Sequence, residues 1–244
     1  FHTERGMPAI MNIGSLTATL GEDHLWPSDD VWGQHDFTRT GAQGDTAFLG
    51  MVARRFGDEV LESAESFTEY AQYINYDGYR AMYEANNVAR KGLLIWMSHS
   101  AWPSLAWQTY DYYFDKTAAF YGVMKACEPL HVQFNPSAMT VQAVNSTICG
   151  TDSLTVKIVL TNLKDEEVYS KTAKVCLAED TTIDAIDVAD IPDGPCLMRL
   201  TLTGEDEKVV SENLYLRNFS SGKDTGDYRE IVKKVKDINE YVNL

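Results

Sequence analysis

Residues 92–97 read Gly-Leu-Leu-Ile-Trp-Met, and the fold of the first half of the chain turns on this stretch. It is an apolar run without alternation, which suits a parallel strand buried on both faces. The residues before it read as a long helix. Ser66-Phe67-Thr68-Glu69 is a capping box, in which the serine hydroxyl takes an orphan backbone N–H and the glutamate reaches back to the cap. Phe67, Tyr70, Ala71, Ile74, Gly78, Ala81, Met82 and Ala85 then recur at three- and four-residue steps to about Arg90, and Gly92 supplies a left-handed stop. After the strand, Lys116 to Ala126 forms a second amphipathic segment that ends at Pro129.

Beyond residue 128 the period changes. Leu130–Phe134, Met139–Val144, Leu154–Leu163, Glu167–Leu177, Cys196–Thr203 and Lys208–Leu216 are β-rich runs separated by Gly, Asp, Asn and Pro. Six or seven short strands at this spacing predict a small antiparallel sandwich of immunoglobulin-like type. Tyr228 to Val242 puts Ile231, Val235, Ile238 and Val242 on one stripe and reads as an exposed linker helix. The expected division is therefore 1–128, 129–218 and a tail at 219–244.

The first half holds only two strands of the α/β kind, Phe1–Glu4 and Leu93–Met97, whereas a (β/α)8 barrel takes about 250 residues. The expectation is that 1–128 is the carboxyl-terminal part of such a TIM barrel, and that Phe1 marks a cut inside a larger enzyme. Upstream barrel and sandwich domains of the same parent chain are then its partners.

Composition excludes several functions. The formal charge of -15, spread evenly between the halves, makes nucleic acid and anionic membrane surfaces poor partners. The longest apolar run is too short to span a bilayer. Cys127, Cys149, Cys176 and Cys196 lack the Cys-x-x-Cys spacing of a zinc site and read as buried free thiols, with a disulfide open in an exported protein. Sequons stand at Asn145 and Asn218. Ser98 and Ser100 flank His99 without a nucleophile elbow. His35 and His99 lack metal-binding spacing, and Gly41 and Gly44 make no phosphate loop.

Four stretches concentrate aromatic and polar residues: Glu4–Pro8, Trp32–Phe37, Trp96–Pro103 and Trp107–Tyr113. Glu4 and Trp96 each fall at the carboxyl end of an expected parallel strand, the face that holds barrel active sites. Flat rings there suit the apolar faces of a pyranose. A lone glutamate at a strand end is more often a solvated carboxylate, however, and tryptophans are more often core.

These stretches, with Asn75–Ala85, Gly92–Tyr113, Cys127–Gln133 and Ser211–Tyr215, resemble the exo-β-D-glucosaminidase branch of glycoside hydrolase family 2, which shades into β-mannosidases. The likeness runs over nearly the whole chain. It implies a retaining glycosidase acting on an oligosaccharide substrate, with no cofactor, in which Glu4 is the nucleophile at the end of the seventh barrel strand. The acid/base carboxyl would lie on the fourth strand, upstream of Phe1. Trp96 would be the floor under the sugar, and His99 and Trp102 hydroxyl and stacking contacts. Trp107, Asp36 and Asp111 read as structural. Mannosidase-type relatives tend to carry Asn-Asp where this chain has Ser98-His99, which favours glucosaminides. Ser100 departs from the proline common in the branch. The competing reading is a non-catalytic carbohydrate-binding relative whose sandwich does the work, yet between Leu130 and Asn218 the aromatics are only Phe134, Tyr169 and Tyr215.

Overall fold

The computed structural model describes residues 1–39, 42–89 and 92–242. The expected helix end at Arg90 and the glycine at 41 lie outside them. The chain forms two compact units, neither continuous in sequence: Phe1–Tyr83, Lys91–Met124 and Asp237–Val242 make the first, and Glu84–Arg90 with Lys125–Lys236 the core of the second. No helix among the described residues is long and apolar enough to cross a membrane.

The first unit mixes helices with one small sheet: β1 (His2–Arg5), α1 (Ile13–Leu20), α2 (Asp30–Gln34), α3 (Leu49–Phe56), α4 (Ala64–Ala89) as far as Tyr83, β2 (Leu93–Ile95) and α5 (Ala118–Ala126) as far as Met124. β1 and β2 are parallel, His2 opposite Leu93 and Arg5 opposite Ile95. The pair is not buried on both faces as its composition predicts: β1 is exposed throughout and Leu94 is 55% exposed. A parallel strand gains that burial from flanking strands and covering helices, and this sheet has two strands. Gly92 is not left-handed either. A side chain there would fall 2.2 Å from the ring of Phe1, so close approach rather than a turn requires the glycine.

Helix α4 starts two residues before the expected cap. The hydroxyl of Ser63, not Ser66, takes the orphan N–H of Ser66 at 3.2 Å. Phe67, Ala71 and Ile74 are buried as the apolar spacing predicts, whereas Ala81 and Ala85 are exposed, and Gln72, Asn75, Tyr79 and Arg80 are buried instead. These polar side chains tie the loop after β1. Asn75 accepts the N–H of Ile10 at 3.1 Å and donates to the Pro8 carbonyl at 2.7 Å; Gln72 donates to the Ile10 carbonyl at 2.9 Å and accepts the Ala118 N–H at 2.9 Å. The segment expected as an exposed linker helix is instead a 3-10 turn, Ile231–Lys234, and a short helix later in the chain, with Ile231 and Tyr241 fully buried. Tyr241 packs 5.3 Å from the rings of Tyr73 and Tyr76 and donates to Asp77 at 2.9 Å.

The second unit contains β3 (Leu130–Asn135), β4 (Thr140–Asn145), β5 (Leu154–Asn162), β6 (Glu167–Val175), β7 (Thr181–Asp187), β8 (Gly194–Thr203), β9 (Val209–Ser220) and β10 (Lys223–Asp224). They form antiparallel sheets of order β10-β9-β8-β5-β6 and β3-β4-β7. Alternate residues of both sheets, among them Val132, Val141, Ile158, Leu160, Met198 and Leu200, share one core. Each such side chain stabilises the fold by about 1.5–3 kcal/mol on burial. The four cysteines are free as expected, but only Cys196 is buried, and Cys127, Cys149 and Cys176 are exposed. Burial pushes the Cys196 thiol up to about 12. Asn145 of the first sequon is fully buried and donates to the carbonyls of Cys149 and Ala178, so it is no surface acceptor.

A buried charge cluster braces this unit. His131 on β3 is wholly buried between Glu128, 3.0 Å from Nδ1, and Glu84 at the end of α4, 3.2 Å from Nε2. Glu84 also accepts from Tyr215 (2.8 Å) and Asn213 (2.9 Å), and Glu128 from Ser211 (2.6 Å) and Lys125 (2.9 Å). Burial works to lower the His131 pKa, but the hydrogen bonds to the two carboxylates outweigh it and hold it above the ordinary histidine value. For Glu128 burial is likewise outweighed, by His131, Ser211 and Lys125, and its pKa lies low. A raised histidine pKa contributes stability that is complete below the unfolded value and lost as pH rises through the folded one; the lowered Glu128 contributes stability above the carboxylate range that is lost in acid. The melting temperature is therefore expected to fall from neutral pH towards pH 9, and His131→Gln to flatten that alkaline slope. A slope unchanged in the variant would remove His131 as its origin.

Candidate active site

Glu4 and Trp96 stand at the same, carboxyl, end of adjacent parallel strands. The N–H of Trp96 donates to the carbonyl of Arg5 at 2.7 Å. The Glu4 side chain is exposed and Trp96 is 49% exposed, so neither is core. Gly6, directly after β1, lies against the Trp96 backbone: a Cβ there would fall 2.0 Å from the Trp96 carbonyl oxygen. Only glycine permits that approach.

After Trp96 the chain makes an excursion tied off at its base. The Met97 N–H donates to Trp107 O at 2.8 Å, and Ser98 O accepts from Tyr110 N at 2.8 Å and from the Thr109 hydroxyl at 3.2 Å. Tyr79 of α4 donates to the carbonyls of Met7 (3.1 Å) and Trp107 (3.0 Å), joining the segment after β1 to the foot of this loop. Burial pushes the Tyr79 pKa up and keeps the hydroxyl a donor.

Trp102 is 44% exposed on the excursion, and its ring stacks on His35 with centroids 5.5 Å apart and 17° between planes. His35 closes α2 and grips the same loop, its Nδ1 donating to Pro103 O at 2.5 Å and its carbonyl accepting Leu105 N–H at 2.8 Å. Sequence reasoning left His35 without a role, because only the fold brings it beneath Trp102. His99 is engaged by its surroundings: its ring stacks on Phe114 at 4.2 Å, and Nε2 lies 3.4 Å from Tyr112 O. Trp32 is fully buried against Trp26, Phe37 and Phe67 and is core. Asp36 pairs with Arg39 at 2.5 Å, and buried Asp111 organises a turn. Among the described residues no three His, Cys, Asp or Glu side chains gather as a metal would require.

An exposed carboxylate and a half-exposed indole at adjoining strand ends, and a loop that carries a second half-exposed indole, are side-chain types suited to a flat-faced polar ligand such as a sugar. No family model matches the chain. It is 33% identical over 237 residues to an exo-β-D-glucosaminidase of Streptomyces avermitilis, covering 91% of this chain and 25% of that protein. A stretch of 87 residues, 34% of the chain, is 41% identical to a mannosylglycoprotein endo-β-mannosidase of Lilium longiflorum. The exo-chitosanase CsxA of Amycolatopsis orientalis superposes with a TM-score of 0.81 at 25% identity, over 96% of this chain and 31% of that one; a variant of it is known in complex with PNP-β-D-glucosamine. The chain is thus similar to the exo-β-D-glucosaminidases and β-mannosidases, the branch of glycoside hydrolase family 2 that its motifs resemble. It spans about a fifth to a quarter of the length of the curated exo-β-D-glucosaminidases it matches.

The Gly6 contact joins the two strand ends, which makes it the place to test whether they act together. Gly6→Ala is expected to displace the Trp96 carbonyl and lower stability by about 1–3 kcal/mol, as overpacking does. Thermal melting would register it, and an unchanged melting temperature would contradict the contact.

Proposed function

We propose that this chain is the carboxyl-terminal part of a retaining exo-acting β-glycosidase that releases β-linked glucosamine from chitosan-type oligosaccharides. Residues 1–128 would be the closing portion of a (β/α)8 barrel, 129–218 an immunoglobulin-like sandwich and 219–244 its tail. The observation that carries the reading is the pairing of β1 with β2, which supports Glu4 as a carboxylate at the lip of a parallel sheet beside Trp96. In this mechanism Glu4 attacks the anomeric carbon and forms a glycosyl ester. A second carboxyl group, about 5–5.5 Å away in retaining enzymes, protonates the leaving oxygen and then activates water. That second group would lie outside this chain. Trp96 is the sugar floor and Trp102 a stacking wall. His99 serves best as a support, since its ring and Nε2 are occupied by Phe114 and Tyr112.

The local 41% identity to an endo-β-mannosidase keeps a mannoside as the second reading. The non-catalytic lectin reading loses support, because Phe134 and Tyr215 are buried and none of the exposed large apolar side chains described in the second unit is aromatic.

In the full-length protein, Glu4→Gln is expected to lower kcat on a β-glucosaminide by about 10³-fold or more, since paired catalytic groups act as a unit. A 2-fluoro-glycoside should label the peptide that contains Glu4. Near-normal turnover by the variant, or label on another carboxylate, would overturn the assignment; faster cleavage of a matched β-mannoside would select the second reading. Residues 1–244 by themselves are expected to show no turnover, which the same assay checks.

A further inference from the structure

The turn at Asp111–Asp115 carries three exposed rings, Tyr112, Tyr113 and Phe114, the last 71% exposed. Its frame is the buried Asp111 carboxylate, whose Oδ1 accepts the N–H groups of Tyr113 and Asp115, each at 2.9 Å. The Asp111 N–H donates to Asp115 O and the Phe114 N–H to Asp111 O, both at 3.0 Å. In this frame Phe114 takes φ +65°. A bulky side chain resists that conformation and glycine or asparagine accepts it readily. Exposure and backbone strain thus both count against a phenylalanine kept for folding.

Among the described residues its ring stacks on one other. His99 stacks on it at 4.2 Å with 16° between planes, and His99 Nε2 reaches the carbonyl of Tyr112 in the same turn. His99 is three residues beyond Trp96, and Ser98 O holds Tyr110, the residue before the turn, at 2.8 Å. The strained ring therefore rests on the loop that follows Trp96 and presents most of its area to solvent.

We propose that Phe114, backed by His99, is a platform for the second sugar ring of a β-linked glucosamine oligosaccharide, on the leaving-group side of the bond that Glu4 attacks. The inference rests on the function proposed above. A pyranose presents axial C–H groups to a flat ring, and the amino group of the next glucosamine adds a cation–π attraction. The adjoining Asp115, exposed while its Oδ2 accepts from Asn12 at 2.6 Å, adds a negative charge that suits the same cationic sugar. His99 acts as a positioning residue that fixes the ring, while the backbone of the turn is fixed by Asp111.

The test compares two substrates in the full-length protein: a β-1,4-linked glucosamine disaccharide, and β-glucosaminyl fluoride, whose leaving group reaches no second-ring site. Phe114→Gly and Phe114→Asn are expected to keep or raise the melting temperature. Each should lower the ratio of kcat/KM for disaccharide over fluoride by about 3- to 10-fold, the range of one aromatic contact. His99→Ala should move the ratio in the same direction. A ratio unchanged in both Phe114 variants overturns the platform and leaves Glu4 standing. So does a loss of self-association on sedimentation with the ratio unchanged, which would mean that the ring covers a second copy. A wild-type protein that cleaves neither substrate overturns the proposed function and this inference together.

Discussion

The candidate site depends on a single backbone junction, where the Trp96 N–H meets the Arg5 carbonyl and Gly6 leaves room for the Trp96 carbonyl beside it. Two strands of three and four residues are too short to hold one another. Their alignment comes from α4, whose buried Gln72, Asn75 and Tyr79 satisfy the polar backbone of residues 7–10. Buried peptide groups without partners cost about 1–3 kcal/mol each, so removing one of these side chains would free the segment that carries Glu4. The exposed carboxylate is placed by amides buried some seventy residues away in the chain.

The second unit uses polar burial differently. Glu84, Glu128 and His131, with Ser211, Asn213 and Tyr215, form one network in which the charges are paired and hydrogen-bonded. Such clusters add little net stability over a well-packed apolar core, but removing one member strands the rest. The motifs 127–133 and 211–215, which help carry the family resemblance, contribute most of these residues. Their likeness therefore reports a scaffold, whereas 4–9 and 96–113 report the site.

What could be read from the sequence was what local patterning encodes. Five of the six β runs after residue 128 begin within a residue of where periodicity puts them, β5 with the alternation of buried and open positions that a half-buried strand shows. β7 escaped notice because Asp184 interrupts Thr181–Asp187; its carboxylate accepts from Thr140 and Gln142 of β4, a cross-strand pairing that no local pattern announces. The tail is not legible in this way, because its apolar stripe fits an exposed amphipathic helix as well as a segment drawn into a core. At the site, Glu4 and Trp96 were legible as strand ends. The stacks of His35 on Trp102 and Phe114 on His99 were not, since each joins residues that only the folded loops bring together.

Backbone strain separates the two units again. In the second, the positive-φ residues Met139, Asp165, Asp180, Asp190, Glu207 and Ser221 each lie between consecutive strands, where tight turns call for that conformation and short polar side chains tolerate it. In the first, two of the four, Trp107 and Phe114, are aromatic, and residues held this way cost on the order of 1–3 kcal/mol. Trp107 has a structural return: its carbonyl accepts both the Met97 N–H and the Tyr79 hydroxyl, so its bend closes the loop beside Trp96. Phe114 has none of comparable size, because the frame of its turn is made by the Asp111 carboxylate and by backbone, which glycine would serve as well. The strain and exposure of a ring at such a position, resting on the loop that follows Trp96, are what the proposed sugar platform accounts for.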